Sequence, residues 1–301
     1  MITMNKMPEF TMMIGLPCSG KSTEAQLLAK EQDAIVFSSD ELRCEMFGDV
    51  NHQDDNSELF EELHKRIKEC LKSGKSAIMD ATNISYKRRM AFLRELQNIS
   101  CIKTCVLMAT PYEECIRRNQ NRERKVPEEV IKRMYMNFTI PYTYEGWNVI
   151  RLEYGDFIDQ LKNPVEFYNK YKDYDQHNSH HSLTLGEHCR KVAFAAGLNM
   201  PLIYAGMLHD CGKPFCATYK NKKGELTEEC HYYNHQNTGA YDSLFYDYNG
   251  IHPLSVAILI QWHMQPYFNQ EEKTRNKYRK FWGEQLFQDL MKLHSADKAA
   301  H

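Results

Sequence analysis

Two sets of residues in this chain have the types and spacing of reactive groups. The first opens with Gly15-Leu16-Pro17-Cys18-Ser19-Gly20-Lys21-Ser22-Thr23, which fits the phosphate-binding pattern G-x-x-x-x-G-K-[ST] without a mismatch. Glycines in such a loop let backbone N–H groups curl round a polyphosphate, and a helix N-terminus faces the negative charge. Lys21 would reach the β- and γ-phosphates of ATP and Ser22 would hold Mg²⁺. Gly15, Ser19, Gly20 and Thr23 complete the expected cradle. Asp40, in Ser38-Ser39-Asp40-Glu41-Leu42-Arg43, can take a proton from an acceptor hydroxyl. Arg43, three residues on, lies on the same helical face and could grip an anionic group of the acceptor. Asp80 could support Mg²⁺ or orient the acceptor. The competing reading makes Ser39 or Asp40 a helix cap and nothing more. Farther on, four arginines and a lysine crowd between Arg117 and Lys125. Arg118 and Arg122 are four apart and share one face, as a lid over the γ-phosphate requires. A solvated basic face is the alternative.

The second set is built from His188, His209, Asp210, His231, His235, His263 and Asp297. Only His52 and His64 of the 13 histidines precede residue 156. A surface histidine has no reason to prefer one half, so the skew points to a second domain with metal-based chemistry. Polar groups on apolar helices cost free energy unless bonded, which argues against chance core histidines. Imidazole with carboxylate suits Mn²⁺, Ni²⁺, Co²⁺, Zn²⁺ or Fe²⁺ and does not choose among them.

The elements that must carry these residues differ between the halves. From Met7 to Tyr154, short apolar runs alternate with helix-period stretches. Strands are expected over 10–14, 34–37, 76–79, 103–108 and 148–152, with helices over 23–30, 59–71, 86–96, 113–121 and 128–138. Alternating β and α implies a parallel sheet with helices on both faces and ligands at the carboxyl ends of its strands. No G-x-G-x-x-G is present, which speaks against a dinucleotide site. The second half shows helical spacing over 183–198, 201–208, 235–246, 253–261 and 281–300, the pattern of an all-α domain whose helices converge on a metal. The expected division is 1–155, a short structured connector over 156–175, and 176–301. At 301 residues, 26% charged and net −2, the chain has room for about two domains, and any nucleic-acid contact must rest on local basic patches. Ten scattered cysteines without a C-x-x-C pair, no long apolar run and no signal-like core in Met1–Glu9 suggest a reducing cytoplasmic setting without a membrane.

The first half resembles the phage-type 5′-hydroxyl polynucleotide kinases. The resemblance covers residues 8–155. It is carried by the Gly15–Thr23 loop, Ser39-Asp40-Glu41-Leu42-Arg43, Asp80-Ala81-Thr82-Asn83 with Arg88-Arg89, and Arg118-Asn119, Arg122 and Val126-Pro127 in that order. It implies Asp40 as general base on a 5′-OH and Arg43 as clamp on the 3′-phosphate of the terminal nucleotide. It implies Arg118 and Arg122 as lid residues on the ATP phosphates, and Asp80, Thr82, Asn83 and Arg88 on the acceptor side. The segment Arg122-Glu123-Arg124-Lys125 departs from relatives, which often have Gly or Thr there.

The second half resembles the HD-superfamily metal-dependent phosphohydrolases over residues 178–301. The match rests on His188, on His209-Asp210 followed by Cys211-Gly212-Lys213-Pro214, and on Asp297 in Ser295-Ala296-Asp297-Lys298-Ala299. Gly186-Glu187-His188, and His231 to His235 with Gly239-Ala240, look closest to HD domains appended to nucleotidyltransferases acting on tRNA ends. The resemblance implies a first metal at His188, His209, Asp210 and Asp297. It implies a second at His235 and His263, bridged through Asp210. Such ions activate water for attack on phosphorus and stabilise the incoming and leaving oxygens. Lys213 could neutralise the phosphate.

Together the resemblances imply a bifunctional RNA end-healing enzyme. ATP with Mg²⁺ would phosphorylate RNA (or DNA) 5′-OH ends, and one or two transition metals would remove 2′,3′-cyclic, 2′- or 3′-phosphate. An RNA ligase is the implied partner. Two other readings remain open: a nucleoside or nucleotide kinase fused to a nucleotidase, and a non-catalytic sensor controlled by ATP and metal.

Overall fold

The structure, a computed structural model, describes residues 7–52, 56–179, 182–268 and 271–300. The chain divides into two compact units. One comprises residues up to Ile131 with Pro141–Asp156, and the other Lys132–Ile140 with Phe157 onward.

The first unit follows the alternation of its sequence. Its elements are β1 (Glu9–Ile14), α1 (Lys21–Gln32), β2 (Ala34–Ser38), α2 (Ser39–Phe47), α3 (Asn56–Lys72), β3 (Ser76–Asp80), α4 (Tyr86–Glu95), β4 (Ile102–Met108), α5 (Tyr112–Gln120), α6 (Glu128–Met136), which runs across the division, and β5 (Val149–Glu153). The sheet order is β2-β3-β1-β4-β5, with every pair parallel. β1 and β3 read as near-continuous apolar runs because both faces are covered: Phe10, Met12, Met13, Ile14, Ala77, Ile78 and Met79 are buried. α3 buries Leu59, Leu63, Ile67 and Leu71, a four-residue spacing that keeps one face on the core. The chain runs from β1 out to the edge strand β2 and then back through β3, β4 and β5, and because every pair is parallel the carboxyl ends of β1, β2 and β3 lie on the same side, where such sheets bind ligands. The phosphate loop leaves β1 there, Asp40 follows β2, and Asp80 ends β3. Ser38 caps α2 by accepting a hydrogen bond from the Glu41 N–H at 3.4 Å. The cap is therefore neither Ser39 nor Asp40, and the Asp40 carboxylate is left for other work.

The second unit contains α7 (Pro164–Tyr171), α8 (Leu185–Ala195), α9 (Met200–Leu208), α10 (Lys213–Cys216), β6 (Ala217–Lys220), β7 (Leu226–Tyr232), α11 (His235–Asp242), α12 (Pro253–Trp262), α13 (Gln265–Phe268), α14 (Glu272–Trp282) and α15 (Glu284–Ala299). It is helical but not all-α, because β6 and β7 form an antiparallel hairpin. The hairpin falls in a polar stretch, 217–232, where the apolar period is too weak to announce either element. Two expected helices are also interrupted. The stretch 235–246 ends as a helix at Asp242 and continues in a 3-10 turn. The stretch 281–300 breaks at Gly283, whose φ of 84° closes α14 and starts α15. The region 156–175 holds a capped helix, α7, whose Asn163 side chain accepts from the Val165 N–H.

Candidate active sites

The phosphate loop is held open from several sides. Gly15 N–H donates to Thr82 O (3.1 Å), and Thr110 Oγ1 donates to Ser19 O (2.9 Å). A Cβ at Gly15 would sit 2.6 Å from Ser19 Oγ and 3.1 Å from Met108 Cβ, so it would have to push the Ser19 hydroxyl aside, and Gly20 has φ +95°, which favours glycine. Lys21 is buried and donates through Nζ to Leu16 O at 2.6 Å. Burial lowers its pKa, while the negative charges of Asp80 and Asp40 oppose that shift. Ser19 Oγ is buried and has no hydrogen-bond partner among the described residues. An orphaned hydroxyl and an inward ammonium fit a loop shaped for phosphate oxygens. Ser22 is exposed at the first turn of α1, and Thr23 follows it on the exposed side.

The lid arginines meet this loop. Arg118 Nε pairs with Glu114 at 2.6 Å, and one of its terminal nitrogens lies 3.8 Å from where a Gly20 Cβ would stand. Arg122 Nη1 reaches Cys18 Sγ at 3.4 Å. Arg124 was expected only as part of the basic run. Its Nη1 pairs with Asp40 Oδ2 at 2.7 Å, its Nε donates to Asn51 Oδ1 (3.2 Å), and its Nη2 donates to Val50 O (3.1 Å). Arg124 thus fixes the candidate base, and no spacing rule could have paired residues 84 apart in the chain.

The acceptor-side residues divide. Asp80 is buried at the end of β3. Asn83 spends its side-chain amide on Met13 O (2.8 Å), so it pins the loop beside the phosphate site. Arg88 is exposed on α4, whereas Arg89 is fully buried. Arg89 forms a two-pronged pair with Glu145 (2.8 and 2.6 Å) and donates to Asn83 O (2.9 Å). Arg43 is only 5% exposed and donates through Nη1 to His52 O (2.5 Å) and Asn56 Oδ1 (3.0 Å). One guanidinium nitrogen is therefore engaged, while Nε is buried with no partner among the described residues.

In the second unit five elements bring six side chains together. His188 comes from α8, His209 and Asp210 from the end of α9, His235 from the first residue of α11, His263 from the end of α12, and Asp297 from α15. All six are buried. Asp210 stands at the centre. Its Oδ2 faces His209 Nε2 (3.2 Å) and His188 Nε2 (3.7 Å), and its Oδ1 faces His235 Nε2 (3.2 Å) and His263 Nε2 (3.8 Å). Asp297 Oδ1 lies 3.1 Å from His188 Nε2. Nδ1 of His209, His235 and His263 each faces the carbonyl three residues back, on Gly206 (2.9 Å), Tyr232 (2.7 Å) and Ile260 (2.6 Å). Donation from Nδ1 leaves each Nε2 lone pair aimed inward, the tautomer that a metal ligand needs. Bonds of about 2.1 Å to one ion put neighbouring donor atoms roughly 3.0–3.4 Å apart, close to the spacings observed. Two donor triads, His188-His209-Asp297 and Asp210-His235-His263, therefore suit two divalent ions sharing Asp210. Burial pushes His263 down to about 3. Burial also opposes charge on His209 and Asp210, yet their mutual attraction raises His209 and lowers Asp210. Lys213 is buried with Nζ 2.7 Å from Asp210 Oδ2 and 2.7 Å from Gln176 Oε1, so it neutralises Asp210 directly. His231 lies on β7, stacks on Tyr233 at 5.3 Å, and belongs to neither donor triad.

The fold and loop of the first unit define a P-loop kinase fold. Residues 10–141 match the model of the AAA_33 family, described as an AAA domain. The chain is similar to the L-seryl-tRNA(Sec) kinase of Methanococcus maripaludis, 32% identical over 168 residues. That alignment spans 50% of this chain and 63% of the relative, just under two thirds of its length. Among solved structures, a chain of the Pnkp1/Rnl/Hen1 RNA repair complex aligns over 45% of each chain at 20% identity and TM-score 0.39. A gluconokinase from Sinorhizobium meliloti aligns over 49% of this chain and 82% of its own at 16% identity and TM-score 0.36.

Proposed function

We propose that the chain is a bifunctional RNA end-healing enzyme. Its first unit transfers the γ-phosphoryl group of ATP to a 5′-hydroxyl, and its second hydrolyses a 2′,3′-cyclic, 2′- or 3′-phosphate. The observation that supports this reading is the presence in one chain of two unlike clusters, a phosphate loop beside the Asp40–Arg124 pair and buried imidazoles gathered round Asp210. In the kinase, Asp40 takes the proton as the hydroxyl oxygen bonds to the γ-phosphorus and the bond to ADP breaks. Lys21, Arg118 and Arg122 neutralise the phosphates, and Ser22 would hold Mg²⁺. The name of the M. maripaludis relative adds support for an acceptor hydroxyl carried on RNA. In the second unit, His188, His209, Asp210 and Asp297 would hold one divalent ion and His235 and His263 another. Such ions supply an activated water and charge neutralisation at phosphorus. Asp210 orders the two halves of the cluster, and Lys213 holds it ionised. An RNA ligase is the partner this reading calls for.

The test is an RNA oligonucleotide bearing a 5′-OH and a 2′,3′-cyclic phosphate, incubated with ATP, Mg²⁺ and a panel of Mn²⁺, Ni²⁺, Co²⁺, Zn²⁺ and Fe²⁺. Both ends should change. An unaltered cyclic phosphate under every metal sinks the second activity, and an unaltered 5′-OH sinks the first. One observation favours a second reading, a nucleoside or nucleotide kinase fused to a nucleotidase. Arg43 is buried, with one guanidinium nitrogen spent on His52 and Asn56, so it is not an open clamp. On the end-healing reading, Arg43→Ala should impair phosphorylation of a 3′-phosphorylated oligonucleotide far more than that of a nucleoside. Equal effects favour the second reading.

A further inference from the structure

The candidate ligands of the second unit are held from behind in two ways. Nδ1 of His209, His235 and His263 faces backbone carbonyls, a brace that no side-chain substitution removes. Asp297 is held by a side chain instead. Tyr267 OH donates to its Oδ2 at 2.8 Å. The other oxygen, Oδ1, faces His188 Nε2 (3.1 Å) and His209 Nε2 (3.8 Å), its partners in the first donor triad. The two oxygens therefore have separate tasks. Asp297 is buried, so protein groups and not bulk water set its orientation.

Tyr267 is itself well placed. It sits in α13, four residues after His263 of the second donor triad, and its N–H donates to Met264 O (3.2 Å) across that turn. Its ring meets His294 edge-on at 4.3 Å, and His294 stands on α15 three residues before Asp297. Ring and hydroxyl thus both rest on α15. An ionised carboxylate can only accept, so the phenol is the donor in this pair. With Oδ2 fixed by that bond, the carboxylate cannot turn freely, and Oδ1 stays on the imidazole side. Such outer hydrogen bonds orient ligating carboxylates and support their affinity for a metal.

We propose that Tyr267 is a positioning residue of the His188-His209-Asp297 triad, its hydroxyl fixing Asp297 so that Oδ1 meets a divalent ion. The inference rests on the reading that this cluster holds divalent ions. The competing role is packing alone, with the tyrosine seating α13 on α15. The ring suffices for packing, whereas orienting Asp297 needs the hydroxyl, so Tyr267→Phe separates the two.

The experiment uses the full chain, stripped with EDTA and titrated with Co²⁺. Free metal is read by a competing fluorescent chelator and bound metal by its visible absorption. The two donor triads imply two equivalents in the wild type. Asp297→Asn marks the equivalent that belongs to the first triad. Tyr267→Phe keeps the ring against His294, and it should weaken that same equivalent about 10–100-fold and shift its absorption. The equivalent at Asp210-His235-His263 should bind as in the wild type. Equal affinities in wild type and Tyr267→Phe overturn the proposal and leave the tyrosine a packing residue. Weakening confined to the other equivalent overturns it too. Loss of both equivalents together with the helical circular dichroism does the same, because the hydroxyl would then be a prop for the fold. A wild-type chain that takes up no Co²⁺ defeats the metal reading itself and the proposal with it, a result distinct from equal affinities in a chain that binds the ion.

Discussion

Asp40 and Asp210 have opposite circumstances, and the difference predicts their variants. The Asp40 carboxylate is 56% exposed and held by a single ion pair with Arg124. Asp210 is buried and faces four imidazoles and an ammonium. Asp40→Asn keeps the shape and removes the base, so kinase kcat should fall about 10²–10⁴-fold. Phosphate release from a 3′-phosphorylated RNA should stay at the wild-type rate. Asp210→Asn should do the reverse. Loss of both activities from either change, measured on the two assays in parallel, would argue for one composite site. Arg89 makes a prediction about stability instead. It is fully buried with Glu145, and removing one partner of such a pair leaves an uncompensated charge. Arg89→Met should cost about 3–5 kcal/mol, read as a lower urea midpoint. A midpoint within error of wild type would mean that water reaches Glu145.

At the level of elements, the imidazole cluster depends on how closely α10 and α11 approach. Gly212 precedes α10, and a Cβ there would lie 2.2 Å from His235 O, 2.3 Å from Thr238 Oγ1 and 2.6 Å from Gly239 N. Two of those atoms are backbone and cannot swing away. Gly212→Val should therefore displace the first turn of α11, which carries His235. Overpacking of this kind costs on the order of 1–3 kcal/mol. The expected outcome is a lower Tm together with reduced metal content after purification, measured by elemental analysis. Full metal content would show that α11 tolerates the shift. Gly206 plays a similar part between α8 and α9, since a Cβ there would lie 2.9 Å from the Ala193 backbone. In the first unit, the loop after β3 serves as a brace. Thr82 O and the Asn83 amide tie it to the residues on either side of the phosphate loop's origin.

For the molecule as a whole, the two units are not a simple cut of the chain. Lys132–Ile140 belongs with the second unit, where Tyr135 OH donates to Asp242 and the Ile140 N–H donates to Gln261 Oε1 (2.5 Å). Phe138 is fully buried and meets Tyr241 edge-on at 4.8 Å. A fragment starting at Phe157 therefore lacks part of its own core, and it should unfold at a lower Tm than the same unit within the full chain. An equal Tm, measured by calorimetry, would show that the segment contributes nothing. Among the described residues no helix is long and apolar enough to cross a membrane, and all ten cysteines are free. Much of this was legible in the sequence. The phosphate loop is local, because its glycine and lysine positions are set by backbone reach over nine residues. The five parallel strands came from apolar runs that burial on both faces enforces. The donors His188, His209, Asp210, His235, His263 and Asp297 stood out because polar groups on apolar helices need a partner. Other features are products of long-range contact, which no periodicity encodes. The hairpin at 217–232, the Arg124 grip on Asp40, the burial of Arg43 and the exclusion of His231 from the donor triads are of this kind. Sequence by itself determined which residues could handle phosphate and metal. Only the tertiary structure decided which of them meet, because pairings between residues tens of positions apart depend on how helices and strands pack, not on their order along the chain.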